Sequence, residues 1–122
     1  MFPEYWQAFS KTHGLVGASA CLGEEIDLSG LGADMQFLDQ AQSTEELSDC
    51  WPGIGVAGFG YIPVASCLTG SGDYYYINRN DGPNGALYRI YHDAVFEPGD
   101  GPGKAVAMVL ANYASVLPHV ER

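Results

Sequence analysis

Basic residues are scarce in this chain. Five lysines and arginines stand against fifteen aspartates and glutamates, a formal net charge of −10 over 122 residues. Nucleic acid and anionic membrane are poor direct partners for such a sequence, because both call for a basic surface. Cysteine is sparse too: Cys21, Cys50 and Cys67 are odd in number, widely spaced and without a CxxC pair. That argues against a disulfide framework or a zinc knuckle and fits reduced thiols in a cytosol. Long apolar runs are missing. Stretches such as "GVAGFGYIPVA" are interrupted well short of the ~20 residues of a membrane span. The opening "MFPEYWQAFSK" has no basic region followed by an apolar one, so no signal peptide is expected. Internal repeats and low-complexity tracts are also lacking.

What is present is a globular composition. Hydrophobic residues make up 47% of the chain, and its length suits one domain spanning residues 1–122. A domain of this size buries roughly two thirds of its unfolded surface and folds without a staple. The acidic excess suits a basic protein partner, since charge complementarity speeds encounter and excludes wrong partners. The plainer reading is that the acids keep the protein soluble.

The chain divides by pattern. Residues 3 to 13, "PEYWQAFSKTH", predict a helix with Pro3 in its first turn, an apolar stripe of Tyr5, Trp6 and Phe9, and Gly14 as its stop. "LVGASACLG" reads as a short strand or irregular segment, and residues 23 to 34 as an acidic glycine-containing loop. "MQFLD", 35 to 39, alternates as a strand. Ser43 three residues before Glu46 has capping-box spacing and predicts a helix over 44 to 50, ended by Pro52 and Gly53. "GFGYIPVAS", "DYYYIN" and "ALYRIYH" are β-branched and aromatic, and turn-forming residues separate them. They predict a three-stranded antiparallel meander. Period two places Tyr74 and Tyr76 on one face, Tyr75 and Ile77 on the other. "FEPGDGPG", 96 to 103, reads as a loop. "KAVAMVLANYASVL", 104 to 117, predicts the strongest helix of the chain, ended by Pro118. The sum is an α+β domain, an antiparallel β-sheet packed with helices at the N-terminus and C-terminus.

Motifs that carry chemistry are tested best on "TGSGDYYYIN", residues 69 to 78. A phosphate loop needs a lysine after its glycines and a helix behind it. Here Asp73 follows, and then a strand. Ser71, His92 and Asp93 lack the GxSxG elbow of a hydrolase. His13, His92 and His119 have no paired metal-ligand spacing, and "DLSGLGAD" lacks the calcium-loop pattern. Glu24–Glu25 and Glu45–Glu46 are adjacent pairs whose side chains diverge, which suits a solvated acidic face better than acid–base catalysis. The tyrosines have no basic groove beside them for base stacking. The glycines of the stretch therefore read as turn formers, with Asp73 bonding the turn backbone and the tyrosines building a strand. No metal, cofactor or catalytic residue is expected.

The same residues resemble a known pattern. Ile62, Pro63, Val64 and Ala65, then Gly72 and Asp73, Tyr76 and Ile77, and finally Leu87, Tyr88, His92 and Asp93 follow in the order of the SUKH (Smi/Knr-type) superfamily signature. "FPEYWQAFSKTHG" resembles that family's "LPxDYxxFLxxxNG" helix through Pro3, Tyr5, Phe9 and Gly14, with His13 where an asparagine is common. "CWPGI" at 50 to 54 and the expected C-terminal helix stand in the corresponding order. The family usually has a further helix before this piece, whereas this chain starts at it. The resemblance implies a non-enzymatic protein, beside the cytoplasmic location that the cysteine usage suggests. Its bacterial members are mostly immunity proteins that bind and block a cognate toxin or effector, often a nuclease.

Two function classes remain beside that expectation: a general protein–protein interaction module in a regulatory complex, and a small enzyme or ligand-binding domain using a pocket around Asp73 and His92. For partner binding the candidate charged residues are Glu24, Glu25, Asp27, Glu45, Glu46 and Asp49. Those among Tyr74, Tyr75 and Tyr76 that prove exposed are the candidate anchors.

Overall fold

Trp6 sits where the chain's two ends meet its sheet. A computed structural model describes residues 2–49, 56–68, 73–91 and 105–121. Helix α1 (Glu4–Thr12) starts at Pro3 as its spacing requires, and Gly14, at φ +59°, turns the chain out of it. Trp6 is 1% exposed. Its indole meets the rings of Phe2, Phe9, Phe37 and Tyr113, the last edge-on at 5.1 Å between centroids.

The strands of the described residues form one antiparallel sheet. Its strands are β1 (Ser19–Leu22), β2 (Ala33–Phe37), β3 (Tyr61–Cys67), β4 (Tyr75–Asn78), β5 (Leu87–Ile90), β6 (Val106–Leu110) and β7 (Val120–Glu121), in the spatial order β6-β5-β4-β3-β2-β1-β7. Sequential strands are neighbours throughout, except that the short β7 returns to pair with β1 at the far edge. The sheet curls into a half-barrel. Leu28, in the β1–β2 loop, donates its amide to the Val109 carbonyl on β6, which ties the two sides of the curl together. Ala20, Leu22, Met35, Phe37, Tyr75, Ile77, Leu87 and Val109 fill the concave face, closed by α1 and by Tyr113 and Val116. Tyr76, Ile90, Val56 and Ala105 form a second cluster, against which Tyr74 and Tyr88 pack. The period-two expectation for the tyrosine run therefore holds.

Pro63 is a test of the sheet's logic, since proline cannot donate to a ladder. β2 pairs with β3 only over Ala65 to Cys67, and a register shift in the β3–β4 pairing falls between Pro63 and Ala65. The missing amide thus lies beyond the end of β2. The Pro63 carbonyl instead accepts from Ser43 Oγ at 2.6 Å. Gly60, at φ +92°, feeds the strand, and a Cβ there would stand 2.6 Å from Asn80 and 2.7 Å from Asn78. Both of those amide side chains donate to the Phe59 carbonyl, so the position admits only glycine.

Two expectations need correction. Helix α2 spans Gln40–Asp49, not 44 to 50. Its capping box is Asp39–Gln42: Asp39 Oδ1 accepts from the Gln42 amide at 2.8 Å, and Gln42 Oε1 accepts from the Asp39 amide at 2.9 Å. Ser43 lies inside the helix, fully buried, with its hydroxyl on Pro63. Asp39→Ala is expected to cost about 1 kcal/mol, the usual loss for an N-cap, readable as a lower urea midpoint with unchanged slope.

Residues 104 to 117 are the second correction. They form β6 and then a 3-10 helix over Tyr113–His119 that contains Pro118. Among helix templates the apolar spacing fitted well, but a short apolar run fits a strand too. β5 needed an edge partner, and "VAMVL" supplies two valines without a charge. Asn112 then caps the 3-10 helix, its side chain accepting from the Ala114 amide at 2.9 Å. Pro52, Gly53, the 69–72 turn, His92, Asp93 and the 96–103 segment lie outside the described residues.

Candidate functional site

Three of the residues singled out in the sequence converge on one groove. α2 packs on β3, with Ser43 and Leu47 facing inward. Its helical period then turns Gln42, Glu45 and Glu46 toward the strip of sheet beside it. These three line a groove of about 410 Å³ with Gln36 and Phe37 of β2, Ser66 of β3 and Tyr74. Gln36 and Ser66 are directly opposed cross-strand partners. Glu45 is exposed, and Glu46 and Tyr74 are half-buried. The groove therefore combines two carboxylates, amide and hydroxyl side chains, and one aromatic ring. It can accept hydrogen bonds from cationic groups and stack a flat one.

The other candidates separate. Glu24 and Glu25 are exposed on the β1–β2 loop. Asp49 belongs to α2 by its backbone, and its side chain lies outside the described residues. Asp27, Tyr75 and Tyr76 are buried, at 2%, 1% and 0% exposure, so as direct contacts they are out of a partner's reach. Of the tyrosine run only Tyr74 reaches the surface.

Asp27 has a different task. Its Oδ2 pairs with Arg89 Nη2 at 3.4 Å, both side chains being almost wholly inaccessible. The same nitrogen donates to the Gly32 carbonyl at 2.6 Å and to the Tyr75 hydroxyl at 3.0 Å. Arg89 and Tyr75 are opposed across β5 and β4, so strand register itself sets that contact. The guanidinium lies 5.3 Å from the Tyr75 ring centre. Asp27 Oδ1 accepts from both the amide and the hydroxyl of Ser29. One buried arginine thus fastens the β1–β2 loop at two points. Sequence reasoning did not single out Arg89. The signal available was a lone base in the strand pattern "LYRIY", where period two puts it on the core face with Leu87.

Beside this network lies an open depression of about 490 Å³, lined among others by Glu24, Leu31, Asp34, Asp73 and Arg89. Tyrosine acidity follows burial. Tyr75 is raised above its ordinary value mainly by desolvation, against the lowering effect of Arg89. Tyr88 is raised further, by desolvation and by its hydrogen bond to Asp81, 2.7 Å away. Neither phenol ionises near neutral pH, so both serve as fixed hydrogen-bonding groups.

Among the described residues no group of three or more His, Cys, Asp or Glu side chains is placed to hold a metal ion. Among the same residues, no helix is long and apolar enough to cross a membrane. No protein-family model, curated protein or solved structure matches the chain.

Proposed function

We propose that this is a non-catalytic cytoplasmic binding protein of the SUKH type, an immunity protein that occludes a basic face of a cognate toxin or effector. The observation that carries this reading is the convergence of Glu45, Glu46 and Tyr74 on one groove of an acidic protein. Nucleases and similar effectors present lysine and arginine where they grip phosphate. Carboxylates arrayed on a fixed scaffold can occupy those positions. Exposed acids such as Glu24 and Glu25 steer the encounter, and a half-buried ring supplies contact that excludes water. The field is long-ranged only at low salt, because screening sets in beyond about 8 Å near physiological ionic strength.

The test is protection. Cells expressing a candidate cognate toxin should survive when this protein is co-expressed. Glu45→Gln/Glu46→Gln should weaken the complex, chiefly through association, by on the order of tenfold at low salt. Killing that continues unchanged in the presence of the folded protein would overturn the immunity reading and leave a general interaction module.

A further inference from the structure

The β1–β2 loop carries a combination that loop function in the fold does not require. Ile26, Leu28 and Leu31 are 39%, 60% and 59% exposed, three large aliphatic side chains within six positions. Connecting segments are ordinarily polar and mobile. This one is fastened. The Ile26 and Asp27 amides donate to the Gly23 carbonyl, and the Gly30 amide donates to that of Asp27. Arg89 holds Asp27 and the Gly32 carbonyl from the core, and the Leu28 amide is bonded to β6. Exposed apolar groups on a backbone that cannot fold them away mark a contact surface rather than a collapsed loop.

The adjoining depression fixes the chemistry of the contact. Leu31 forms part of its wall, and Glu24 and Asp34 supply carboxylates; Arg89 and Asp73 also line it but are buried, and the Arg89 guanidinium is already taken by Asp27, the Gly32 carbonyl and Tyr75. An apolar wall rimmed by acids suits a side chain with an aliphatic stem and a cationic head. A second copy of this chain suits it poorly, since it would bring another Glu24–Glu25 pair and another −10 against the same surface.

We infer that the Gly23–Gly32 loop docks a basic, partly apolar protein segment, with a partner lysine or arginine lying along Leu31 and its head directed to Glu24 and Asp34. This rests on the reading of the protein as a binder of a basic partner, and it assigns that binding to the loop as well as to the α2 groove. Binding there is pre-organised, because the loop's ordering is already supplied by Arg89 rather than at the moment of association.

The test uses the intact protein and a defined probe, a twelve-residue alternating Lys-Leu peptide, with an alternating Lys-Ser peptide of equal charge as control. Amide chemical shifts should move over residues 23 to 34. The Leu28→Ser/Leu31→Ser variant should bind the Lys-Leu peptide at least about tenfold more weakly. Both leucines are exposed, so the variant should fold as the parent does. The Lys-Ser peptide, which keeps the lysine stems and loses the leucines, should bind the parent more weakly than the Lys-Leu peptide does and lose less affinity in the variant. Shift changes confined to the α2 groove would overturn the inference, as would equal affinity of the variant for the Lys-Leu peptide. So would a concentration-dependent dimer abolished by the same substitutions, which would give the surface to a second copy. Failure of protection against the toxin, with peptide binding at the loop intact, would strike the immunity reading alone.

Discussion

Arg89→Leu is expected to destabilise the protein by about 3–5 kcal/mol, the usual result of removing one partner from a buried ion pair. Among the described residues, Asp27 would remain buried with only Ser29 to bond its carboxylate. Tyr75 and the Gly32 carbonyl would lose their shared donor. A loss of that size is a large part of the roughly 5–15 kcal/mol that holds a domain together. Replacing both charges, as Arg89→Leu/Asp27→Leu, should recover much of the loss, because no charge is then stranded. Equilibrium urea unfolding reads both variants. A single substitution that costs under about 1 kcal/mol would mean that the pair does not fasten the loop.

Trp6→Ala is expected to cost a similar amount, about 3–5 kcal/mol, by the transfer and cavity terms of a buried aromatic. The cavity would open among Phe2, Phe9, Phe37 and Tyr113, where helix, sheet and C-terminal segment meet. Collapse into it is hindered, because these rings are anchored on separate elements. Trp6→Phe should cost much less. It keeps an aromatic ring in place and removes an indole N–H that finds no hydrogen-bond partner among the described residues. Equal destabilisation by Phe and Ala would show that indole shape, rather than filled volume, is what the site requires. Thermal or urea unfolding with near-ultraviolet circular dichroism distinguishes the two.

Much of the fold was legible because local pattern and tertiary demand agree there. The tyrosine run alternates as a strand, and the sheet buries Tyr75 and Tyr76 on opposite faces. Pro3 and Gly14 bound α1 by backbone preference alone. Where several local patterns fitted, tertiary context chose. Residues 104 to 117 satisfy a helical spacing, yet β5 needed a neighbour, and Val106–Leu110 became it. Ser43–Glu46 and Asp39–Gln42 both have capping spacing. The earlier pair won, and Ser43 took a contact to Pro63 that no local rule contains.

The candidate site was legible in part for the same reason. Glu45, Glu46 and Tyr74 were recognisable as surface acids and a strand-end aromatic, but their meeting depends on how α2 lies on the sheet. Asp27 looked like one more loop acid. Its partner stands 62 positions away, and only the curl of the sheet brings them together. Once they meet, the acidic loop becomes a fastened platform, with Glu24 and Glu25 outward and Asp27 inward. Charge in this protein is thus divided between holding a surface in shape and presenting one.

The most direct measurement is calorimetric titration of the intact protein against a candidate cognate toxin with a basic substrate-binding face, at low and at moderate salt. One-to-one binding is expected, with loss of toxin activity and an affinity that falls as salt rises. An unaltered toxin activity, with no heat of binding or with binding indifferent to salt, would contradict the assignment of this acidic surface to a basic partner.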